Sequence, residues 1–402
     1  MSRGRVLVTG GAGFIGSHVA RALLEGGYRV RALDMLTPQL HPERSRPGYL
    51  DRDVELMLGD VRDPHAVRRA LIDVDSVVHL AARVGVGQSM YEVGDYVSVN
   101  SLGTAVLLQA LLDHPVQRLV VASSMSIYGE GSYVDRSGRP AMARARARDQ
   151  LAARDWEPRG EHDQELTPVP TPETKPPSLN SIYALNKFEQ ERSALLFGEA
   201  YGVPTVALRF FNVYGPHQAL SNPYTGVLAI FAARLLNDKP PLVFEDGEQR
   251  RDFVCVKDVA ALCRSVLERS GLAGEVINVG SGTSVTVNEI ARRLASSASR
   301  SIARSSGVAF WAASRARPIS NKARASWKRP IPPSWARSSR AAPDSSLTRT
   351  LAVGVVTRAR SPLLTVTSPI FCRDSIASRT AERPTPNASI NSRSAGSWSP
   401  GE

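Results

Sequence analysis

The sequence predicts an α/β fold: a doubly wound parallel sheet, a smaller C-terminal domain, and an irregular, disordered basic tail. Three observations carry this expectation. Strand-length apolar runs alternate with amphipathic runs over residues 1–295, the pattern of a βαβ series. A glycine-spaced turn joins the first strand to the first helix at residues 9–16. The composition then breaks: residues 296–402 hold 17 Lys/Arg against 4 Asp/Glu, net +13, while residues 1–295 are almost neutral at −1. That stretch also carries 23 serines, four of the five tryptophans and none of the ten tyrosines. The whole-chain charge of +12 therefore describes the tail, and the usual inference from a basic protein to a nucleic-acid partner does not extend to the folded part.

Taken in order, Val6-Leu7-Val8-Thr9 feeds Gly10-Gly11-Ala12-Gly13-Phe14-Ile15-Gly16, and an amphipathic run over residues 17–24 follows. Strand, glycine turn and helix in that order make a Rossmann-type phosphate cradle. Gly10, Gly13 and Gly16 let the backbone approach a pyrophosphate and the helix pack against the strand, while the first helical amides, at Phe14 and Ile15, face the anion. Asp34 closes the next apolar run, 24 residues beyond Gly10, where a carboxylate meets the adenosine ribose hydroxyls. An acid there repels a 2′-phosphate, so the expected cofactor is NAD rather than NADP.

Residues 54–58 read as a strand ending at Gly59-Asp60-Val61, and Asp63-Pro64 opens a helix to Leu71. Asp60 is suited to accept from an adenine amino group or to cap its own loop. Residues 76–82 read as a buried strand whose small end, Ala81-Ala82, suits backbone lying against a ligand; His79 inside it is read as a satisfied core histidine. A long helix is expected from Asn100-Ser101-Leu102-Gly103-Thr104 to about Asp113. The strand at residues 118–122 runs into Ser123-Ser124-Met125-Ser126, and Ser124 should emerge on the same sheet edge as Gly10 and Ala81. Residues 130–177 read as an insertion with an Arg/Ala stretch (141–153) able to form an amphipathic helix and a Pro-rich extended stretch (168–177). It is placed either to cover the site or to lie as a solvated loop.

Tyr183 and Lys187 then open a helix, four residues apart and so on one face. A phenol with a pKa of about 10 is a poor base at neutral pH, and a nearby ammonium, reinforced by a positive nicotinamide ring, is expected to lower it.

With the glycine turn, the serine strand and the Tyr/Lys helix in this order, residues 1–295 resemble the extended short-chain dehydrogenases/reductases, the nucleotide-sugar epimerase and dehydratase group. The resemblance implies that Tyr183 is the base, that Lys187 holds the nicotinamide ribose, and that Ser124 hydrogen-bonds the reacting sugar oxygen, with Asn100 matching the asparagine of an NxxGT segment. Residues 209–216 resemble a segment whose asparagine, here Asn212, contacts the substrate diphosphate region. Residues 250–259 resemble a motif whose arginine, here Arg251, pairs with the diphosphate through its guanidinium fork. The words around Arg83, around Ser124 and Ser126, and at residues 218–226 are similar to a bacterial subgroup of dTDP-L-rhamnose 4-epimerases, which places Arg83 and Ser126 near the sugar. The implied reaction is oxidation at carbon 4 by NAD and return of the hydride to the opposite face. Dehydratases of the group place Asp-Glu after the catalytic serine or threonine; Met125-Ser126 stand there.

The domains expected are an NAD-binding unit at 1–180, a stretch at 181–295 carrying the Tyr/Lys helix, the last sheet strands and part of the substrate domain, and the tail at 296–402. Family members pair through the helix near Leu102 and the Tyr183 helix, so a homodimer is expected; the apolar spacing of Val106, Leu107, Ala110 and Leu111 suits that pairing and equally suits packing on the protein's own sheet. The group carries an RxGD segment with a second diphosphate arginine after this point, and none occurs in residues 296–402. Of a disordered extension, a nucleic-acid-binding tail and a reading-frame shift near residue 296, the shift is preferred, because it alone accounts for an interrupted domain. No apolar window of about 18 residues and no signal segment occur, so the expected location is cytoplasmic. Cys255, Cys263 and Cys372 have no metal-ligand spacing, so no metal is expected and they should be small buried residues.

Overall fold

The computed structural model describes residues 3–220 and 226–305, with side chains through residue 297. The first half runs β1 (Arg5–Thr9), α1 (Phe14–Glu25), β2 (Arg29–Asp34), β3 (Glu55–Leu58), α2 (Pro64–Leu71), β4 (Ser76–His79), two single-turn helices α3 (Val86–Ser89) and α4 (Val93–Tyr96), a π-helical turn (Val97–Leu102), α5 (Gly103–Asp113) and β5 (Arg118–Ser124). An excursion follows with β6 (Ser132–Val134), β7 (Pro140–Ala141), α6 (Arg148–Ala152) and β8 (Thr167–Val169). The rest comprises α7 (Ile182–Tyr201), β9 (Thr205–Phe210), β10 (Asn212–Tyr214), α8 (Val227–Leu236), β11 (Arg250–Cys255), α9 (Val256–Glu268), β12 (Val276–Val279), β13 (Ser284–Thr286) and α10 (Val287–Ser305).

Seven strands form one sheet in the order β12-β9-β5-β4-β1-β2-β3, and every pairing in it is parallel. The order reverses between β1 and β4, which is the switch point where such sheets bind ligands. Side chains alternate across the strands, so Val6 and Val8 enter one core and Leu7 the other. The first core packs α1 and α9 through Val19, Leu23, Val259 and Cys263; the second packs α2, α5 and α7 through Val67, Leu107, Leu111 and Leu195. Strands buried on both faces read as continuous apolar runs for this reason.

Leu107, Ala110 and Leu111 lie 1–2 % exposed in the second core, so these residues pack on the protein's own sheet. The exposed apolar face of the same region is instead Val97, Leu102 and Leu112 with Leu185 and Leu196 of α7.

β10, β11 and β13 form a separate small sheet, with α8 and α10 packed by Phe231, Phe253, Ile290 and Ala291 into a third core. Residues 181–295 thus supply both this lobe and the far edge of the main sheet. α10 runs through residue 296 to Ser305, so the compositional break falls inside a helix; the tail beyond 305, with Cys372, lies outside the described residues. Cys263 is buried while Cys255 is half-buried.

The excursion departs from the sequence reading. Of the Arg/Ala stretch only α6 is helical, and none of its residues is buried; a five-residue helix with no apolar face to dock has little to stabilise it. The Pro-rich part supplies β8, which pairs with β6, and its end is tied down where Ser178 N–H donates to Ile127 O at 2.7 Å and Lys175 Nζ to Tyr128 O at 2.9 Å.

Candidate active site

The carboxyl ends of β1, β2, β4 and β5 place Gly10, Asp34, Ala81 and Ser124 along one sheet edge, as the parallel register requires. Gly10 has φ +69°, and a Cβ on it would come within 3.0 Å of the Ala81 backbone. At Gly16 a Cβ would sit 2.1 Å from Gly10 O, so the helix can approach the turn only with glycine there. Gly13 caps α1 without any side-chain cap, which leaves the first amides, including Phe14 and Ile15, without intrahelical acceptors. Asp34 accepts from Ala12 N–H at 3.0 Å and from Leu36 N–H at 2.9 Å, which sets the carboxylate beside the glycine turn. The outer side of the turn is braced by Tyr49, whose hydroxyl donates to Ala12 O at 3.0 Å and whose ring stacks on His217 at 4.6 Å. A turn with no room for a Cβ at Gly10 or Gly16, free helical amides and an acid at the end of β2 fit the diphosphate and ribose of NAD.

At the other end, Ser181 caps α7 by accepting from Ala184 N–H at 3.1 Å, and Ser89 Oγ receives the Tyr183 N–H at 3.1 Å. These two contacts fix where α7 begins and so where its first turn presents Tyr183 and Lys187. The Tyr183 phenol lies beside the Ser124 hydroxyl, and its ring meets Tyr96 edge-on, 6.4 Å between centroids. Burial pushes the Tyr183 phenol above its ordinary value, with the Ser124 bond opposing. Burial also pulls Lys187 down to about 7 against the raising influence of Glu191. The sequence reading expected a lowered tyrosine; in the protein by itself desolvation outweighs, because the phenolate has been taken out of water.

The sequence reading missed the polar residues beneath this face. Lys187 Nζ donates to Gln190 Oε1 at 2.9 Å, and Gln190 Nε2 to Thr104 Oγ1 at 2.7 Å. His79 is core, as expected, with both ring nitrogens engaged, Nδ1 with Thr9 Oγ1 at 2.7 Å and Nε2 with Thr104 Oγ1 at 2.9 Å. Glu191 and Arg209 form a buried ion pair, 2.6 Å apart, and Ser123 Oγ donates to the same carboxylate at 2.6 Å. The available signal was helical spacing: Gln190 and Glu191 stand three and four residues past Lys187.

The remaining expected contacts divide. Asp60 is held by Arg62, whose side chain and backbone N–H both donate to it. Burial would raise that carboxyl, but the Arg62 bonds and charge hold it below the usual range, so the loop-capping reading is the one the geometry gives. Val61 is a buried neighbour of Gly103, and Ala82 is half-buried. Asn100 is fully buried and clamps the Arg83 backbone, accepting from its N–H at 2.7 Å and donating to its C=O at 3.1 Å. The Arg83 guanidinium pairs with Glu92 at 3.0 Å and Asp95 at 2.6 Å, so its charge is met within the protein. Ser126 Oγ is buried and has no hydrogen-bond partner among the described residues, which suits it to a substrate polar group beside Ser124. Asn212 Nδ2 donates to Asp252 O at 2.8 Å, and Arg251 is exposed, its guanidinium donating to Arg250 O at 2.8 Å. Of the window at residues 218–226, residues 221–225 lie outside the described residues.

Known proteins match this arrangement. The sequence pattern of the NAD dependent epimerase/dehydratase family matches residues 6–148 and 158–280, interrupted only within the excursion. A dTDP-L-rhamnose 4-epimerase of Burkholderia thailandensis is 36% identical over 297 residues, 72% of this chain and 80% of that protein. A dTDP-glucose 4,6-dehydratase of Streptomyces niveus is 30% identical over 296 residues, 72% of this chain and 76% of that protein. Among solved structures, the UDP-glucose 4-epimerase of Thermus thermophilus in complex with NAD superposes with a TM-score of 0.57 at 33% identity, covering 73% of this chain and 83% of that one. The glycine cradle, the acid at the end of β2 and these matches agree, and the chain belongs to the NAD-dependent epimerase/dehydratase family.

Proposed function

We propose that the protein is a nucleotide-sugar 4-epimerase that works through a transient 4-keto sugar, with dTDP-L-rhamnose and dTDP-6-deoxy-L-talose as its substrate pair. The observation that carries the reading is Ser124 at the sheet edge beside the Tyr183 phenol, with Lys187 one helical turn on and no carboxylate at positions 125 and 126. Tyr183 removes the proton of the sugar 4-hydroxyl and later returns it; Ser124 holds that oxygen through both steps. Lys187 holds the nicotinamide ribose, and its ammonium stabilises the phenolate that burial alone disfavours. Bound NAD supplies the hydride acceptor at carbon 4. Gly10, Gly13, Gly16, Phe14 and Ile15 receive the pyrophosphate, and Asp34 the adenosine ribose. Arg251 and Asn212 anchor the substrate diphosphate, and the unpartnered Ser126 hydroxyl meets the sugar. Met125 and Ser126 have no ionisable proton to give in an elimination, which disfavours the dehydratase reaction.

The exposed apolar residues Val97, Leu102, Leu185 and Leu196 support a homodimer through the π-helical turn and α7. One feature favours a second reading, an NAD-binding protein without turnover: no RxGD segment follows α10 in the sequence. The two separate when the purified full chain is incubated with dTDP-L-rhamnose and NAD and followed by proton NMR. Appearance of a second 6-deoxy sugar nucleotide supports the epimerase; NADH binding without any epimer supports the second reading.

A further inference from the structure

The polar groups under Lys187 form one unbroken path, and their hydrogens can be assigned. Thr104 Oγ1 donates to Asn100 O at 2.6 Å and accepts from Gln190 Nε2 at 2.7 Å. With its proton committed, it can meet His79 only as an acceptor, so His79 Nε2 carries a hydrogen. His79 Nδ1 is then an acceptor and takes the Thr9 hydroxyl proton at 2.7 Å. Thr9 Oγ1 in turn accepts from Ala81 N–H at 3.2 Å. The opposite tautomer would give Thr9 Oγ1 a second incoming hydrogen and take away the acceptor of its own. The path therefore runs from Ala81, against which Gly10 rests, through Thr9, His79, Thr104 and Gln190 to the Lys187 ammonium.

Every side chain on this path is 4 % exposed or less. Burial holds His79 neutral, its pKa pulled down to about 3, so the path keeps one hydrogen arrangement throughout the neutral range. Of the three Lys187 hydrogens, the one taken by Gln190 sets the direction of the other two. The charged and titratable groups that act on this lysine are Glu191 on its own helix and His79 on β4, and Tyr183 stands one turn earlier on the same helix. Glu191 is itself held by Arg209 and Ser123, which leaves Gln190 as the acceptor that aims the ammonium.

We propose that Gln190 is a positioning residue for Lys187, and that the path Thr9–His79–Thr104–Gln190 ties the direction of that ammonium to the strand that carries the glycine turn. This rests on the reading of Lys187 as the residue that holds the cofactor ribose. A purely apolar contact at position 190 would leave the ammonium free to rotate and Thr104 without one of its donors. A carboxylate at 190 would keep the acceptor and add a charge beside the lysine.

The test uses the full chain with Gln190→Leu and Gln190→Glu, and reads NADH affinity by fluorescence from pH 6 to 9 before any sugar is added. Gln190→Leu should weaken NADH at least fivefold at pH 7. Gln190→Glu, which keeps the acceptor for Lys187 but loses the donor to Thr104, should bind NADH more tightly than Gln190→Leu and less tightly than the parent, and should move the alkaline fall in affinity up by a pH unit or more, because the added carboxylate favours the charged lysine. If Gln190→Leu fails to fold, as judged by its melting curve, the pH shift in Gln190→Glu decides alone. Parent-like affinity and pH dependence in a folded Leu variant, or an unshifted Glu variant, would overturn the proposal. Epimer formation is measured separately, so parent protein that binds NADH but makes no epimer counts against the proposed reaction and leaves the Gln190 comparison decisive.

Discussion

At the proposed cofactor end of the site, Thr9, His79, Thr104, Gln190 and Lys187 are all 4 % exposed or less and joined in one hydrogen-bonded path; at the proposed substrate end, Arg251 is exposed and Arg83 is tied to Glu92 and Asp95. The difference follows from where each sits. The first set hangs from β1 and β4 of the main sheet and from α5 and α7, which pack together on one of its faces. The second hangs from loops and from the short β10-β11-β13 sheet, whose own core is small. A cofactor held in one geometry suits the first arrangement, whereas a diphosphate that arrives and leaves is served by an arginine as exposed as Arg251.

The sharpest break of this contrast is Tyr183→Phe, which keeps the ring against Tyr96 and removes the proton acceptor. Turnover should fall by ~10³-fold while NADH affinity stays within about threefold, since general-base contributions are commonly 10²–10⁴-fold; loss of both together would place the tyrosine in cofactor binding instead. Next is Gly16→Ala. Its Cβ would meet backbone at 2.1 Å, so the turn must open at a cost of about 3 kcal/mol or more, read as a lowered melting temperature and lost NADH binding. Gly48→Ala, whose Cβ has open space, is its control.

His79 gives the rigid end a pH signature. Its pKa is about 3 when folded and ordinarily 6.5, so the unfolded chain binds the proton first. The neutral ring's contribution is complete above pH 6.5 and is lost as pH falls toward 3, at about 1.4 kcal/mol per pH unit from this one group. Urea unfolding at pH 7, 5.5 and 4.5 should show that slope in the parent, and His79→Leu should flatten it whatever its effect at pH 7. The smallest effect is expected at the open end. Arg251→Ala should raise the KM for nucleotide sugar about tenfold with kcat nearly unchanged, and Arg83→Ala, already balanced by its own carboxylates, should change KM less.

The sequence made the rigid end legible where chemistry is written locally. Gly10, Gly13 and Gly16 lie within one turn, and Tyr183 and Lys187 within one helical turn, so spacing alone places them on one surface. Their supporting path was not legible, because Thr9, His79, Thr104 and Gln190 come from four elements and meet across as many as 86 residues. Each looked like an isolated polar residue in an apolar run. Arg83 is placed near the sugar by resemblance alone; its pairing with Glu92 and Asp95, at the start of and on a separate short helix, is not legible because no periodicity reveals where that helix sits. The Arg/Ala stretch failed as a helix for the opposite reason: its propensity was local, but no apolar face existed to hold it.

The central claim is that carbon 4 is oxidised and then receives its own hydride back. The direct measurement is turnover of dTDP-L-rhamnose deuterated at carbon 4, in light water with NAD present, with the product read by NMR. The account predicts a 4-epimer that retains deuterium at carbon 4 with no label lost to solvent. A product carrying solvent hydrogen at carbon 4, or a released keto sugar, would contradict it.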